Sequence, residues 1–105
     1  MKKIYGKIIP GAIFLALALS CGQKIGDDCS GGSDCGTGRI CDKSQPGGYC
    51  TISPCEKNSC PDEAVCIFFT DFDSYCMLRC DTDDDCRDEY RCVTGFGDHP
   101  FCNQK

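Results

Sequence analysis

The arrangement of cysteine constrains this chain more than any other feature. Of 13 cysteines in 105 residues, the last twelve fall into three sets of four. These are Cys29, Cys35, Cys41 and Cys50; then Cys55, Cys60, Cys66 and Cys76; then Cys80, Cys86, Cys92 and Cys102. The gaps within the sets are five, five, eight; four, five, nine; and five, five, nine residues. First cysteines lie 26 and then 25 residues apart. Self-similarity at a fixed period marks a repeated structural unit. Other positions keep the same register. An aromatic residue precedes each fourth cysteine (Tyr49, Tyr75, Phe101), and a small polar or acidic residue precedes each second (Asp34, Ser59, Asp85).

Each gap between third and fourth cysteine carries turn-forming residues: Gln45-Pro46-Gly47-Gly48, Thr70-Asp71-Phe72-Asp73 and Thr94-Gly95-Phe96-Gly97. Such stretches between short strand-like runs predict β-hairpins. The expected strand pairs are 39–42 with 49–52, 65–69 with 74–77, and 91–94 with 100–102. The expected fold class is small and disulfide-rich: three tandem four-cysteine units of short hairpins and loops, with little helix. The units are 29–54, 55–79 and 80–105.

Composition explains why cross-links are needed. Beyond residue 20, Leu, Ile, Val and Phe number only twelve. Small domains bury a low fraction of their surface, and bridges commonly substitute for the missing core. A large enzyme fold with a deep pocket is excluded. Beyond residue 20 there are 8 basic and 16 acidic residues, a net charge of −8. That surface repels phosphate backbones, so nucleic acid is not an expected partner. It repels anionic lipid headgroups as well, so membrane association requires an anchor.

The N-terminus has the parts of an export signal. Lys2, Lys3 and Lys7 form a positive region, and Ile8 to Leu19 is uncharged, too short to span a bilayer comfortably. Residues 1–20 are read as that signal, and 21–28 as a lipidated cysteine with a short tether. Leu17-Ala18-Leu19-Ser20-Cys21 resembles the lipobox of bacterial lipoproteins. The resemblance implies cleavage before Cys21, a thioether-linked diacylglycerol on its sulfur and acylation of the new amine. Gly22 next to it implies sorting to the outer membrane. The alternative is a plain secretory signal cut at Ala16-Leu17-Ala18. Parity favours the anchor: with Cys21 committed to lipid, an even number of cysteines remains to pair.

The spans CSGGSDCGTGRIC, CEKNSCPDEAVC and CDTDDDCRDEYRC resemble the first four cysteines of EGF-like modules. They are also similar to the N-terminal region of Dickkopf proteins and to repeats of cysteine-rich bacterial lipoproteins. Four cysteines permit three connectivities, and spacing alone does not choose among them. The EGF likeness implies first-to-third and second-to-fourth bridges: Cys29–Cys41, Cys35–Cys50, Cys55–Cys66, Cys60–Cys76, Cys80–Cys92 and Cys86–Cys102. The likeness specifies architecture and says nothing of a ligand.

Other chemistry finds little support in the pattern. Structural zinc favours C-x₂₋₄-C pairs, and Cys55/Cys60 and Cys76/Cys80 approach that spacing, while the gaps within the sets are otherwise wider. An exported chain favours bridges instead. No C-x-x-C redox motif occurs. Asp81, Asp83 and Asp85 form an acidic run that invites calcium, with Asp88 or Glu89 as further ligands. An EF-hand would need Gly at Cys86 and Glu at Cys92, so only a loose surface site is left, and a solvated acidic turn is the plainer reading. The single histidine, His99, precedes Pro100 and lacks a nucleophile partner. Ser53 and Ser74 carry no nucleophile elbow. The chain is not expected to be an enzyme, and no cofactor beyond the acyl anchor is expected.

One stretch invites contact with a partner: Ile67, Phe68 and Phe69, with Phe72 nearby. Strand alternation would send Ile67 and Phe69 to one face and Phe68 to the other. Exposed aromatic clusters mark contact sites, while the same residues could instead form the small core. The expected function is therefore binding or structural: a protein or glycan partner met by loops displayed from the bacterial cell envelope. The alternative is a secreted inhibitor of extracellular proteases, presenting loop 67–75 or 94–101.

Overall fold

The computed structural model describes residues 23–105; the signal, Cys21 and Gly22 lie outside that range. Six strands form three antiparallel hairpins, one in each four-cysteine unit. β1 (Ile40–Cys41) pairs with β2 (Cys50–Thr51), β3 (Ala64–Phe68) with β4 (Ser74–Leu78), and β5 (Tyr90–Val93) with β6 (Phe101–Gln104). The only helical segments among the described residues are two 3-10 turns, Gly32–Cys35 and Asp83–Asp85. This is a small disulfide-rich hairpin fold. The hairpins lie where the turn residues put them, but their ends differ: the second is Ala64–Phe68 with Ser74–Leu78 rather than 65–69 with 74–77, and the first strand of the third is Tyr90–Val93 rather than 91–94. The first hairpin is only two residues per strand, and the third runs on to Gln104 rather than stopping at Cys102.

The repeat in sequence is a repeat in geometry. In each hairpin the third and fourth cysteines face one another across the ladder: Cys41 with Cys50, Cys66 with Cys76, Cys92 with Cys102. Neither bonds to the other. Each reaches back to the segment before the hairpin, giving Cys29–Cys41, Cys35–Cys50, Cys55–Cys66, Cys60–Cys76, Cys80–Cys92 and Cys86–Cys102. Two bridges thus pin one loop to one hairpin, three times over.

The polar residue before each second cysteine has a defined task. Asp34 Oδ2 accepts the backbone N–H groups of Ser30 (2.8 Å) and Gly31 (3.3 Å). Asp85 Oδ2 does the same for Asp81 (2.7 Å) and Thr82 (3.2 Å). In the second unit Ser59 Oγ accepts the N–H of Glu56 at 2.9 Å. A short acceptor side chain closes the turn behind each first cysteine, which is what Asp and Ser do well.

The units share one core. It contains Ile25 from the segment ahead of the first unit, Tyr49 from the first, Val65, Ile67 and Met77 from the second, and Tyr90 and Phe101 from the third, with buried half-cystines between them. Tyr49 sits at the junction. Its hydroxyl accepts the N–H of Leu78 (2.9 Å) and donates to the carbonyl of Cys102 (3.3 Å), so one phenol joins all three units. Burial pushes this hydroxyl well above its ordinary pKa of 10.0, and the Leu78 N–H offsets only part of that. Burial also raises Tyr90, against the opposing pull of the Arg87 guanidinium. A raised folded pKa means that the folded state holds its proton more tightly than the unfolded state. Stability should be undiminished below the ordinary value of 10.0 and fall as pH climbs from there toward the folded value. Tyrosinate absorbance should therefore rise together with loss of amide dispersion, and early ionisation of Tyr49 in a folded chain would contradict this.

Residues 22–28 do not behave as a free tether where they are described. Ile25 is fully buried, and its N–H donates to Glu63 Oε2 at 3.2 Å. Gly26 N–H donates to the Cys50 carbonyl (2.8 Å), and Cys50 N–H to the Asp27 carbonyl (3.0 Å). The segment lies beside β2, so the folded body begins ahead of the first paired cysteine. A lone isoleucine between charged residues is a weak hydrophobic signal, which is why spacing did not place it in the core.

Arg87 locks the first unit to the third. Its Nη1 donates to the carbonyls of Gly26 (3.1 Å) and Gly48 (2.7 Å), and its Nη2 to that of Pro46 (2.9 Å). The guanidinium carbon lies 4.8 Å from the Tyr90 ring centroid, a cation–π distance. Gly47 makes the approach feasible, because a Cβ there would come within 2.5 Å of Nη2. A planar guanidinium spreads its donors over three nitrogens in a fixed fork, whereas an ammonium offers three donors from a single nitrogen. Arg87→Lys should cost about 2 kcal/mol in urea unfolding of the oxidised protein; an unchanged midpoint would show the clamp to be dispensable.

Candidate functional site

The second hairpin carries the aromatic stretch, and the structure separates its members. Ile67 is fully buried. Phe69 is half-buried, with its ring centroid 6.0 Å from Tyr75, 6.0 Å from Phe96 and 5.9 Å from Phe101. These two residues serve the core and the joint with the third unit. Phe68, on the opposite face, is 49% exposed, and Phe72 at the hairpin tip is 92% exposed. The alternation expected for residues 67–69 holds, but the four residues do not form one patch.

The turn presenting Phe72 is well held. Thr70 Oγ1 accepts the N–H groups of Phe72 (3.1 Å) and Asp73 (3.0 Å), and donates to Asp73 Oδ2 (3.0 Å). Phe69 N–H closes the loop on the Asp73 carbonyl at 2.8 Å. An apolar ring is thus offered to solvent on a fixed support.

The acidic run is organised inward. Asp85 accepts two backbone N–H groups, which hold its carboxyl below the ordinary value. Asp83 Oδ1 accepts the N–H of Cys92 at 2.9 Å. Asp81, Asp83 and Asp85 do not gather three carboxylate oxygens at one point; among the described residues the groups of three close ligand atoms are all cysteine sulfurs. Those triads are Cys29/Cys35/Cys50, Cys55/Cys60/Cys66 and Cys80/Cys86/Cys102, and every sulfur in them is in a bridge. A disulfide sulfur is not a thiolate, the form that ligates zinc.

His99 Nδ1 lies 2.8 Å from the Pro100 carbonyl. Its ring borders a groove of about 560 Å³ between the second and third units, which also meets Lys57, Asp62, Arg79 and Asp98. Lys57 and Asp98 form an exposed ion pair at 3.8 Å there. Ser53 Oγ donates to the Ser74 carbonyl (2.7 Å), and Ser74 Oγ to the Cys55 carbonyl (2.9 Å) while accepting the Cys55 N–H (2.9 Å). Both hydroxyls fasten the Ser53–Cys55 segment to β4.

A second concavity was not foreseen. A cleft of about 370 Å³ opens where the three units meet. The first unit supplies Asp42 and Gln45, the second Asp73 and Tyr75, the third Asn103 and Gln104. The Oε1 of Gln45 is buried without a hydrogen-bond partner among the described residues. The two carboxamides lie past Cys102, where the third hairpin was expected to stop. Asn103, Gln104 and Lys105 are polar throughout, so no alternation past that cysteine marks them as strand. Comparison with family models, with curated proteins and with solved structures finds no match to this chain.

Proposed function

We propose that this chain is a cell-envelope binding module, exported, bridged outside the cytosol and held at the membrane through acylated Cys21. The observation that carries the reading is the pairing of all twelve cysteines from Cys29 to Cys102. Bridges of this density belong to an oxidising compartment. The thirteenth cysteine stands at the acylated position of the lipobox resemblance, and more than one acyl chain gives stable anchoring. The mechanism is rigid presentation: a loop ordered beforehand loses less entropy on contact. Phe72, on its hydrogen-bonded turn, is the side chain best placed to meet a protein partner.

Intact mass spectrometry of the native protein tests the anchor and the bridges together. The chain should begin at residue 21 with an acyl mass excess and gain twelve hydrogens on reduction, two for each bridge. A chain that begins at residue 19 without added mass would replace the anchor with plain secretion.

A second reading, protease inhibition, draws on the same hairpin tip, since Phe72 is 92% exposed between two bridged strands. Under it, the protein would block a protease that prefers aromatic residues, and Phe72→Ala would abolish the effect. No inhibition at micromolar protein would remove this reading.

A further inference from the structure

We propose that the cleft at the meeting point of the three units binds a neutral saccharide of one or two rings. This deepens the reading of the chain as a binding module and rests on it. Four observations converge on that ligand chemistry.

The first is charge. Among the described residues no Lys, Arg or His lines the cleft, while Asp42 and Asp73 do. A phosphate, sulfate or carboxylate ligand would meet repulsion without a counter-charge.

The second is the pattern of donors and acceptors. Asp42 Oδ1 is already occupied by the N–H (3.0 Å) and hydroxyl (2.6 Å) of Ser44, and Asp73 Oδ2 by Thr70. Each carboxylate keeps its other oxygen as an acceptor. Asn103 Oδ1 accepts the Gln104 N–H at 2.9 Å, which leaves Nδ2 as a donor. A cation would use only the acceptors and would strand the carboxamide donors. A sugar hydroxyl both donates and accepts, so it serves both kinds of group.

The third is the unsatisfied atom. Gln45, which lines this cleft, has a buried amide oxygen without a hydrogen-bond partner among the described residues. Such an atom costs free energy until something donates to it. The terminal torsion of glutamine is broad, so a modest rotation brings the amide to a hydroxyl in the cleft.

The fourth is shape. About 370 Å³ is near the lower end of the usual range for small-molecule sites. The half-buried rings of Phe69 and Tyr75 supply an apolar wall for the C–H face of a pyranose. Because all three units contribute, the site exists only when they are docked.

The test is an NMR titration of the oxidised protein, labelled with nitrogen-15. The probes are glucose, galactose, N-acetylglucosamine and the β-1,4-linked disaccharides cellobiose, lactose and chitobiose, with putrescine as the cationic comparator. At least one sugar should shift the side-chain amides of Gln45, Asn103 and Gln104 saturably, and putrescine should not. Asn103→Ala should weaken that sugar at least about tenfold, the equivalent of about 1.4 kcal/mol, while amide dispersion elsewhere stays unchanged. Gln104→Ala provides a second variant if the first disturbs β6. Saturable shifts with putrescine alone, or no saturable shift with any probe, would overturn the proposal. A protein cross-linked through a photoreactive residue at position 72, with the cleft silent to every sugar, would overturn the saccharide site and leave the binding-module reading standing.

Discussion

Reduction of the six bridges under non-denaturing conditions should unfold residues 23–105 outright, with collapse of amide dispersion to the random-coil range. The bridges span 11 to 16 residues of sequence separation. A loop of that length contributes about 3 kcal/mol by constraining the unfolded chain. Six such links together exceed the whole stability of a typical domain, about 5–15 kcal/mol. The noncovalent core cannot replace them, because half-cystines make up much of it. Removing bridges one at a time should show a gradient. Cys60→Ala with Cys76→Ala opens a link whose Cys76 is fully buried at the centre of the second hairpin. That pair should cost about 3 kcal/mol or more. Cys29→Ala with Cys41→Ala opens a link between two partly exposed residues, so its loss leaves less of a cavity and should cost less. A reduced and alkylated chain that kept its dispersed spectrum would contradict this account of the fold.

Gly48→Ala should destabilise the protein by about 3 kcal/mol or more and should loosen the first unit from the rest. Gly48 has a φ of 77°, in the left-handed region. A Cβ there would overlap the carbonyl oxygen of Cys29 and come within 2.9 Å of its sulfur. Cys29 has little room to retreat, being tied to Cys41 and hydrogen-bonded through its N–H to the Gly47 carbonyl. The Gly48 carbonyl is also one of the three that Arg87 grips. Gly38→Ala separates the two causes. Gly38 has a φ of 79° with nothing within 4 Å of a new Cβ, so it suffers the backbone strain alone, about 1 kcal/mol. Equal losses at positions 38 and 48 in urea unfolding would show that steric overlap at Cys29 contributes nothing.

The two experiments act on different levels of the structure. Bridges hold each loop to its own hairpin. Gly48, Tyr49 and Arg87 hold the hairpins to one another. Weakening the second level alone should leave three bridged units with the joint between them relaxed. The cleft, assembled from all three units, should then lose its ligand before any single unit unfolds. Hydrogen exchange would register this as early opening at the Leu78 N–H, whose acceptor is the Tyr49 hydroxyl.

The three hairpins and the small disulfide-rich fold were legible in the chain, as was the recurrence of Asp34, Ser59 and Asp85, though not their turn-closing role. Each depends on groups within a few residues of one another, so spacing and turn chemistry suffice. Docking was not legible. Arg87 reaches Gly26 across 61 residues of sequence, and Tyr49 reaches Cys102 across 53. Tyr49, Tyr75 and Phe101 are equivalent in the repeat, yet the first and third are buried while the second is only half-buried. Phe69 and Phe72 stand three residues apart in one aromatic stretch, yet one packs against Phe101 and the other meets water. Equivalent positions diverge because each faces a different neighbour, and neighbours are chosen by how three short hairpins pack around one phenol. Local hydrogen bonds and loop closure write the repeat; only the long-range fit of the units decides which of its side chains are left to meet a ligand.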